Sequence, residues 1–454
     1  MTKKKSTKRA LISSLLILAM CFTMLAGTTF AWFTDSVESG NNIIKSGKLD
    51  VDLFIKQATD TDYVSVTSTP AKAAFDYDLW EPGYTTYAFA KVKNVGNLAL
   101  KYELRVLPNT TFSALAEVID VYYADGETAP ADRDAVANMT KVGTLAEAIN
   151  GAIASGNLAA GVEGTPFTIA LQMQTTAGNE YQELDLGGFK FVLVATQDTV
   201  EPDAFDNQYD KDAEFPVVSR ASDNATLNAA FDVAENDGKL NVVEFTQDIV
   251  GSGLGLFNNK AGYSQSTNKN VEIDLNGHTW EIGAPAVGST GTETQALHIE
   301  KGNTVVVKNG KIKGSTADGI LMLIQNYGNL TLENCEIEFD DDYALSCNCG
   351  TVIIKDTKIT TAAGKTAFDV CVTDYYPDGT QVYVEGNTIV NGNVEFDVWG
   401  TKPAENKSTL TINGGTFNGD FVNTTPAKIT DAECKAMTSV SGGTFNGDAT
   451  LIGK

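Results

Sequence analysis

Apolar and polar residues alternate with period two over KLDVDLFI (48–55), over 86–93 and over 100–107. That spacing puts every second side chain on one face, which is how a half-buried strand is written. Asn94-Val95-Gly96-Asn97 supplies turn residues between the second and third runs, so antiparallel strands are expected. Thr144-Leu145-Ala146-Glu147 has capping-box spacing and opens an Ala-rich stretch ending near Gly156, which predicts a short inserted helix. Alternation returns at GGFKFVLVA (187–195), and the acidic, turn-rich 198–216 reads as a linker.

Beyond the linker the period changes. Residues 224–238 carry Leu227, Ala230, Phe231 and Ala234 at helical spacing, with Asn224 as the expected N-cap and Gly238 past the end. Such a helix would plug the open end of a solenoid. An imperfect repeat follows: VKNGKI (307–312), LENCEI (332–337), IKDTKI (354–359), VEGNTI (384–389), INGGTF (412–417) and VSGGTF (440–445), with IDLNGHTW (273–280) as a looser first copy. Aligned on Asn309, Asn334, Asp356, Gly386, Asn413 and Ser441, the copies lie 25, 22, 30, 27 and 28 residues apart. Each is a short apolar strand, a turn of residues that tolerate left-handed backbone angles, and another strand, which predicts the turns of a right-handed parallel β-helix.

A second strand aligns in ALHIE (296–300), GILML (319–323), ALSCN (344–348), AFDVC (367–371) and EFDVW (395–399). Taking Leu297, Ile320, Leu345, Phe368 and Phe396 as one inward column makes Ile299, Met322, Cys347, Val370 and Val398 the next. This register sets Asp369 and Asp397 on adjacent turns, about 4.8 Å apart along the backbone stack, with Trp399 beside Asp397.

Charge narrows the function classes. The chain has 454 residues, 33 basic against 58 acidic, for a formal net charge of −25. Five of the basic residues lie in the first nine, and residues 1–31 contain no acid; without that segment 28 basic face 58 acidic residues, a formal −30. Such a body repels phosphate backbones and anionic membrane faces, which excludes nucleic acid as a partner. The basic start, the uncharged run and the small-residue tripeptide Thr29-Phe30-Ala31 form a secretory signal, with the cut expected between Ala31 and Trp32 by a signal peptidase. An uncleaved anchor is the alternative, because the 25 uncharged residues 10–34 are long enough to span a bilayer. Either arrangement exports the body. The expected organisation is a signal peptide over 1–31, a β-sandwich over 32–197, a linker over 198–222 and β-helix repeats over 223–454.

The run GTTFAWFTDSVESGNNIIKSGKLDVDL (27–53) resembles the N-terminus of camelysin/TasA-type proteins. Trp80-Glu81-Pro82-Gly83-Tyr84 and KVKNVGNLALKYELRV (91–106) extend the resemblance over roughly residues 1–200. It implies a jelly-roll-type β-sandwich, export through a SipW-type signal peptidase, a cell-surface or biofilm-matrix setting and polymerisation with itself or related matrix subunits. The solenoid half resembles pectate-lyase-like β-helices in architecture, which implies no reaction.

Three function classes remain. The leading one is an exported structural protein, fibre-forming through its N-terminal domain and displaying the β-helix; its assembly segment would be Trp32, Phe33, Ile43 and Ile44, ahead of the first strand. The second is a glycan-binding adhesin with a groove at Asp369, Asp397 and Trp399. The third is a polysaccharide-active enzyme that uses the two carboxylates as acid and nucleophile or base. Residues 221–454 contain no Arg, which disfavours a lyase with an arginine base. The whole chain has two histidines, His278 and His298, and no HExxH, so metallopeptidase chemistry and a zinc site are not expected. No cofactor is expected; Asp340-Asp341-Asp342 and Asp203, Asp206, Asp210 and Asp212 are the candidate Ca²⁺ clusters, with solvated loops as the simpler reading. Five cysteines follow the signal, an odd number, with Cys347 and Cys349 expected inward and Cys335, Cys371 and Cys434 open as to pairing.

Overall fold

The computed structural model describes residues 48–69, 72–75, 79–109, 111–198, 214–234, 238–256, 268–289 and 292–454. It is an all-β chain with two cores. The predicted signal, its cleavage point and the assembly segment at Trp32, Phe33, Ile43 and Ile44 lie outside the described residues, as do Asp203, Asp206, Asp210 and Asp212.

The first core lies between two antiparallel sheets. The six-stranded sheet runs, edge to edge, Val64–Ser65, Val51–Gln57, Thr85–Asn94, Phe167–Met173, Ile119–Asp125 and Thr140–Thr144; the three-stranded sheet runs Ala152–Leu158, Leu100–Pro108 and Phe189–Gln197. Leu100, Tyr102, Leu104 and Val106 are buried while Lys101, Glu103 and Arg105 between them face outward, so the period-two pattern is realised as read. They meet Leu53, Val92, Val121 and Ile169 of the other sheet. Each such side chain, fully buried, contributes roughly 1.5–3 kcal/mol.

The turn at 94–97 does not make a hairpin. It carries the chain from one sheet to the other, because Thr85–Asn94 pairs with Val51–Gln57 and Phe167–Met173, whereas Leu100–Pro108 pairs within the second sheet. Asn94, fully buried, holds the crossing: its Nδ2 donates to the carbonyls of Leu98 (2.7 Å), Leu158 and Ala159 (3.2 Å each), and its Oδ1 accepts from the Gly96 amide.

The capping box forms as expected, Thr144 Oγ1 accepting from Glu147 N, but the helix is only Leu145–Ala148. The Ala/Gly-rich residues after it form the strand Ala152–Leu158. Their small size serves close sheet packing: a Cβ on Gly156 would lie 2.9 Å from the Tyr102 hydroxyl and 3.1 Å from its ring. Composition that resembled helix is here a requirement for room under a tyrosine.

From residue 217 the chain is a parallel β-solenoid of about 8 turns. Its first strand, Val217–Ala221, falls inside the stretch read as linker and pairs in parallel with Leu240–Phe245. The helix is Asn224–Val233, capped by Asp223 and not by Asn224: Asp223 Oδ1 accepts from Thr226 N at 2.8 Å and Thr226 Oγ1 returns a bond to the Asp223 amide. Its predicted apolar face, Leu227, Ala230, Phe231 and Ala234, is buried in the solenoid core.

Each complete turn supplies three strand segments. Inward columns run Val271, Val305, Leu330, Val352, Val382, Leu410 and Ile273, Val307, Leu332, Ile354, Val384, Ile412. Between the first and second segments the backbone bends through left-handed angles at Asn276, Asn309, Asn334, Asp356 and Gly386, with φ of 49°, 60°, 53°, 47° and 64°. The repeated motif is therefore the bend itself. Its side chains stack from turn to turn: Asn334 Nδ2 donates to Asn309 Oδ1 and Asn309 Nδ2 to Asp274 Oδ1, both at 3.1 Å.

In the third segment the observed register departs from the expected one. Leu297 pairs with Ile324, not Ile320, and a bulge at Thr366/Phe368 makes Phe368 face Val394 and Val370 face Phe396. Both slips are even, four and two residues, so an apolar-column test does not detect them; Leu323, expected outward from the alternation, is instead fully buried in the core, and Met322, expected inward, is half-buried. The true column also contains Asn326, an inward amide whose Nδ2 donates to the carbonyls of Gly328 (2.8 Å) and Cys349 (3.1 Å).

The two cores meet at a charged junction. Arg220 pairs with Glu244 at 2.8 Å and with the Asn109 side chain, and Lys190 of the three-stranded sheet reaches the same Glu244 oxygen at 2.6 Å. Cys335, Cys347, Cys349, Cys371 and Cys434 are all buried and unpaired.

Candidate functional site

The third strand segments place a file of polar side chains on the outer face of the solenoid: His298, Gln325, Ser346, Asp369 and Glu395 occupy one position on successive turns. Asp369 therefore stacks on Glu395, and Asp397 stacks on Cys371. The two aspartates that the sequence register set side by side are offset by two residues, with Glu395 completing a trio of carboxylates.

This trio is largely withdrawn from water. Asp369 is 3% exposed and accepts from Ser346 Oγ (2.9 Å) and from the Cys347 amide (2.5 Å). Glu395, 5% exposed, accepts from Thr366 Oγ1 (2.9 Å), Tyr343 Oη (3.3 Å) and Thr424 Oγ1. Asp397 takes only a long bond from Cys371 Sγ (3.7 Å) on Oδ2, and its Oδ1 has no partner among the described residues. Burial, reinforced by the Asp397 charge, pushes the Asp369 carboxyl well above its usual range. Burial and then the Glu395 charge push Asp397 up to about 6. The same burial, with the charges of Glu395, Asp369 and Asp397, raises the Tyr343 phenol. Asp369 and Asp397 therefore hold protons at mildly acidic pH. Asp369 is covered, so a polymer lying on the surface meets the edge of Asp397 and not the pair that glycoside hydrolysis requires.

Trp399 follows the strand that carries Asp397, Asn393–Val398, and is 53% exposed. Its ring contacts Tyr375, 67% exposed, at 4.9 Å between centroids and 37° between planes. Lys428 lies below, donating to the carbonyls of Val398 (3.1 Å) and Gly400 (2.9 Å).

The histidines are separate. His278 Nδ1 faces Asp248 at 3.5 Å, and His298, 1% exposed, lies 3.6 Å from Glu300 with its ring against Tyr327. Among the described residues no three His, Cys, Asp or Glu side chains are placed to hold a metal ion. In the candidate Ca²⁺ cluster, Asp340 accepts from Ser315 and Thr316, while Asp341 and Asp342 both pair with Lys365.

The N-terminal sheets carry a second feature that sequence reasoning did not reach. A cavity of about 1120 Å³ opens between them, walled by Phe75, Trp80, Leu115, Met173, Phe189 and Phe191 among others. Phe189 and Phe191 belong to the edge strand Phe189–Gln197, which among the described residues pairs only with Leu100–Pro108. Period two identifies such a strand but says nothing of which side lacks a neighbour.

Comparison with family models, with curated proteins and with solved structures gives no match. Among the described residues no helix is long and apolar enough to cross a membrane.

Proposed function

We propose that the chain is an exported structural protein of a bacterial surface or biofilm matrix, self-associating through its N-terminal sheets and displaying the solenoid. One observation carries this reading: a nine-residue edge strand, with one neighbour among the described residues, lies along a cavity of about 1120 Å³ whose mixed lining includes Phe75, Trp80, Phe189 and Phe191. An edge with unpaired backbone groups beside unfilled volume is what strand addition completes. The occupant is the segment 32–44 of another copy, whose Trp32, Phe33, Ile43 and Ile44 supply apolar side chains. Head-to-tail donation is an open contact, so it yields filaments.

The resemblance of residues 27–53 and 91–106 to camelysin/TasA-type proteins supports the same reading, with a jelly-roll order of the two sheets and SipW-type processing between Ala31 and Trp32. The helix Asn224–Val233 closes the first turn of a right-handed solenoid, the hand that parallel crossovers strongly favour.

Electron microscopy of the protein purified from culture medium tests this. Filaments are expected that grow with salt or lower pH, since a formal −30 opposes close approach. Deleting 32–44 should abolish them with the solenoid still folded. Filaments that persist in the deletion, or particles that remain monomeric at high concentration, contradict the proposal.

A further inference from the structure

The solenoid turns that carry Tyr375 and Trp399 present an unusual surface. Tyr375 and Trp399 are the two aromatic side chains among the described residues that are more than a third exposed, at 67% and 53%, and they touch each other. The remaining described aromatics are covered or half-covered. Two large rings left together in water on a sheet that buries its other aromatics mark a contact surface.

The pair is built rather than incidental. Trp399 follows the strand Asn393–Val398, and Tyr375 follows Thr366–Val372 on the preceding turn. Two backbone bonds join the loops beyond these strands: the Trp399 amide donates to the Val372 carbonyl at 3.0 Å, and the Asp374 amide to the Thr401 carbonyl at 2.9 Å. Gly400 makes the fit, with φ +68° and a position where a Cβ would come 2.9 Å from Tyr375 Cε2. The rings are thus held side by side before any ligand arrives, which spares the ordering loss of binding.

The rim supplies the polar half of a site. Asp397 is half-buried two residues before Trp399, with its Oδ1 closed to solvent, and Asp374 lies nearer the rings: its Oδ1 would be 3.6 Å from a Cβ on Gly400, the glycine under Tyr375. Asp374 adds an exposed carboxylate. We infer that Tyr375 and Trp399 form a stacking platform for a neutral saccharide, the apolar C–H face of a pyranose lying on the rings and a hydroxyl donating to the exposed Asp374 carboxylate. A formal charge of −25 and the two carboxylates at the rim turn away polyanions such as polyuronates. This site is independent of filament formation, whose determinant is the segment 32–44, so either proposal can fail alone.

Native gels with entrapped polysaccharide test it on the full chain, using mannan, laminarin and dextran as neutral polymers, polygalacturonate as the charged one, and polylysine in free solution for the cationic alternative. At least one neutral polymer should retard the protein, with a blue shift of tryptophan emission that is lost in Trp399→Ala. Tyr375→Ala and Trp399→Ala should each weaken binding about tenfold or more, and Trp399→Phe should keep most of it. Both rings are exposed, so the melting temperature of each variant should stay at the wild-type value. Retardation by polygalacturonate alone, binding of polylysine without any neutral polymer, no binding at all, or retardation that survives both alanine variants would each overturn the site.

Discussion

The two halves of the molecule solve the edge problem of β-structure in opposite ways. In the solenoid, every turn is the partner of the next, so strand edges, inward side chains and turn amides are satisfied by repetition, and one core runs from Ala221 to Ile452. In the N-terminal sheets the strands have unique partners, the edge strand Phe189–Gln197 has one neighbour among the described residues, and a cavity opens beside it. The lesson is that a repeat supplies each inner turn with its partners, while a two-layer fold has edges that its own repetition does not cover.

Core substitutions should expose this contrast most strongly. Phe396 is fully buried on successive-turn contacts, and Phe396→Ala should destabilise the solenoid by about 3–5 kcal/mol in urea unfolding followed by far-ultraviolet dichroism. Breaking the junction should come next. Arg220 has a side chain 5% exposed, and Arg220→Ala leaves Glu244 with Lys190 as its one cationic partner, a loss of about 2 kcal/mol read as earlier proteolysis near residue 216. Glu244 stays below its usual range despite burial, held there by Lys190 and Arg220, so this contribution is present at neutral pH and should fade as pH falls below the ordinary carboxylate range.

The carboxylate trio should show the opposite pH sign. Asp397 binds its proton up to about 6 in the folded chain, against about 3.9 when unfolded, so between those values the folded state holds more protons and stability falls as pH rises. Asp397→Asn should remove that slope, gaining on the order of 1–2 kcal/mol relative to wild type at pH 7 and little at pH 4. Equal gains at both pH values would show that the carboxyl is not held by its surroundings.

Smaller effects refine the comparison. Asn334→Ala puts at φ 53° a residue without the short polar side chain that eases a left-handed backbone and removes a stacking amide, for about 1–2 kcal/mol, whereas Asn334→Gly, which relieves the backbone, should lose about half as much. On the cavity wall, Phe191→Ala should cost less than about 1 kcal/mol in the monomer, because its ring already borders empty volume. A loss there as large as at Phe396 would mean that the cavity is filled within one chain.

How much of this was legible follows the same division. The bends at Asn309, Asn334, Asp356 and Gly386 were readable because few residues tolerate a left-handed backbone, so the turn signs itself in the sequence. The face of the helix at Leu227 and Phe231 was readable for its period; its cap moved one residue to Asp223 because two acceptors stand next to each other. The stacking of Asp369 on Glu395 was not readable. It depends on a bulge at Thr366/Phe368, and a shift of two residues leaves the inward and outward sets unchanged. Trp399 was visible as a residue of interest, but its partner Tyr375 comes from a loop without periodicity. The cavity depends on how two sheets are spaced, and no single strand encodes that.

The buried thiols give the molecule an internal clock. Cys335 donates to the carbonyls of Val307 (3.2 Å) and Glu333 (3.3 Å), and burial pushes its thiol up to about 12; Cys347 and Cys371 are raised the same way. Thiolate is the reactive form, so maleimides and oxidants should find the native solenoid silent. Each thiol then becomes reactive only when its own turn opens, and the order in which Cys335, Cys347, Cys371 and Cys434 label would report the sequence in which the turns unwind. A cysteine introduced on the surface would meanwhile label ahead of the five buried thiols, ready to carry a dye that reports on the folded solenoid.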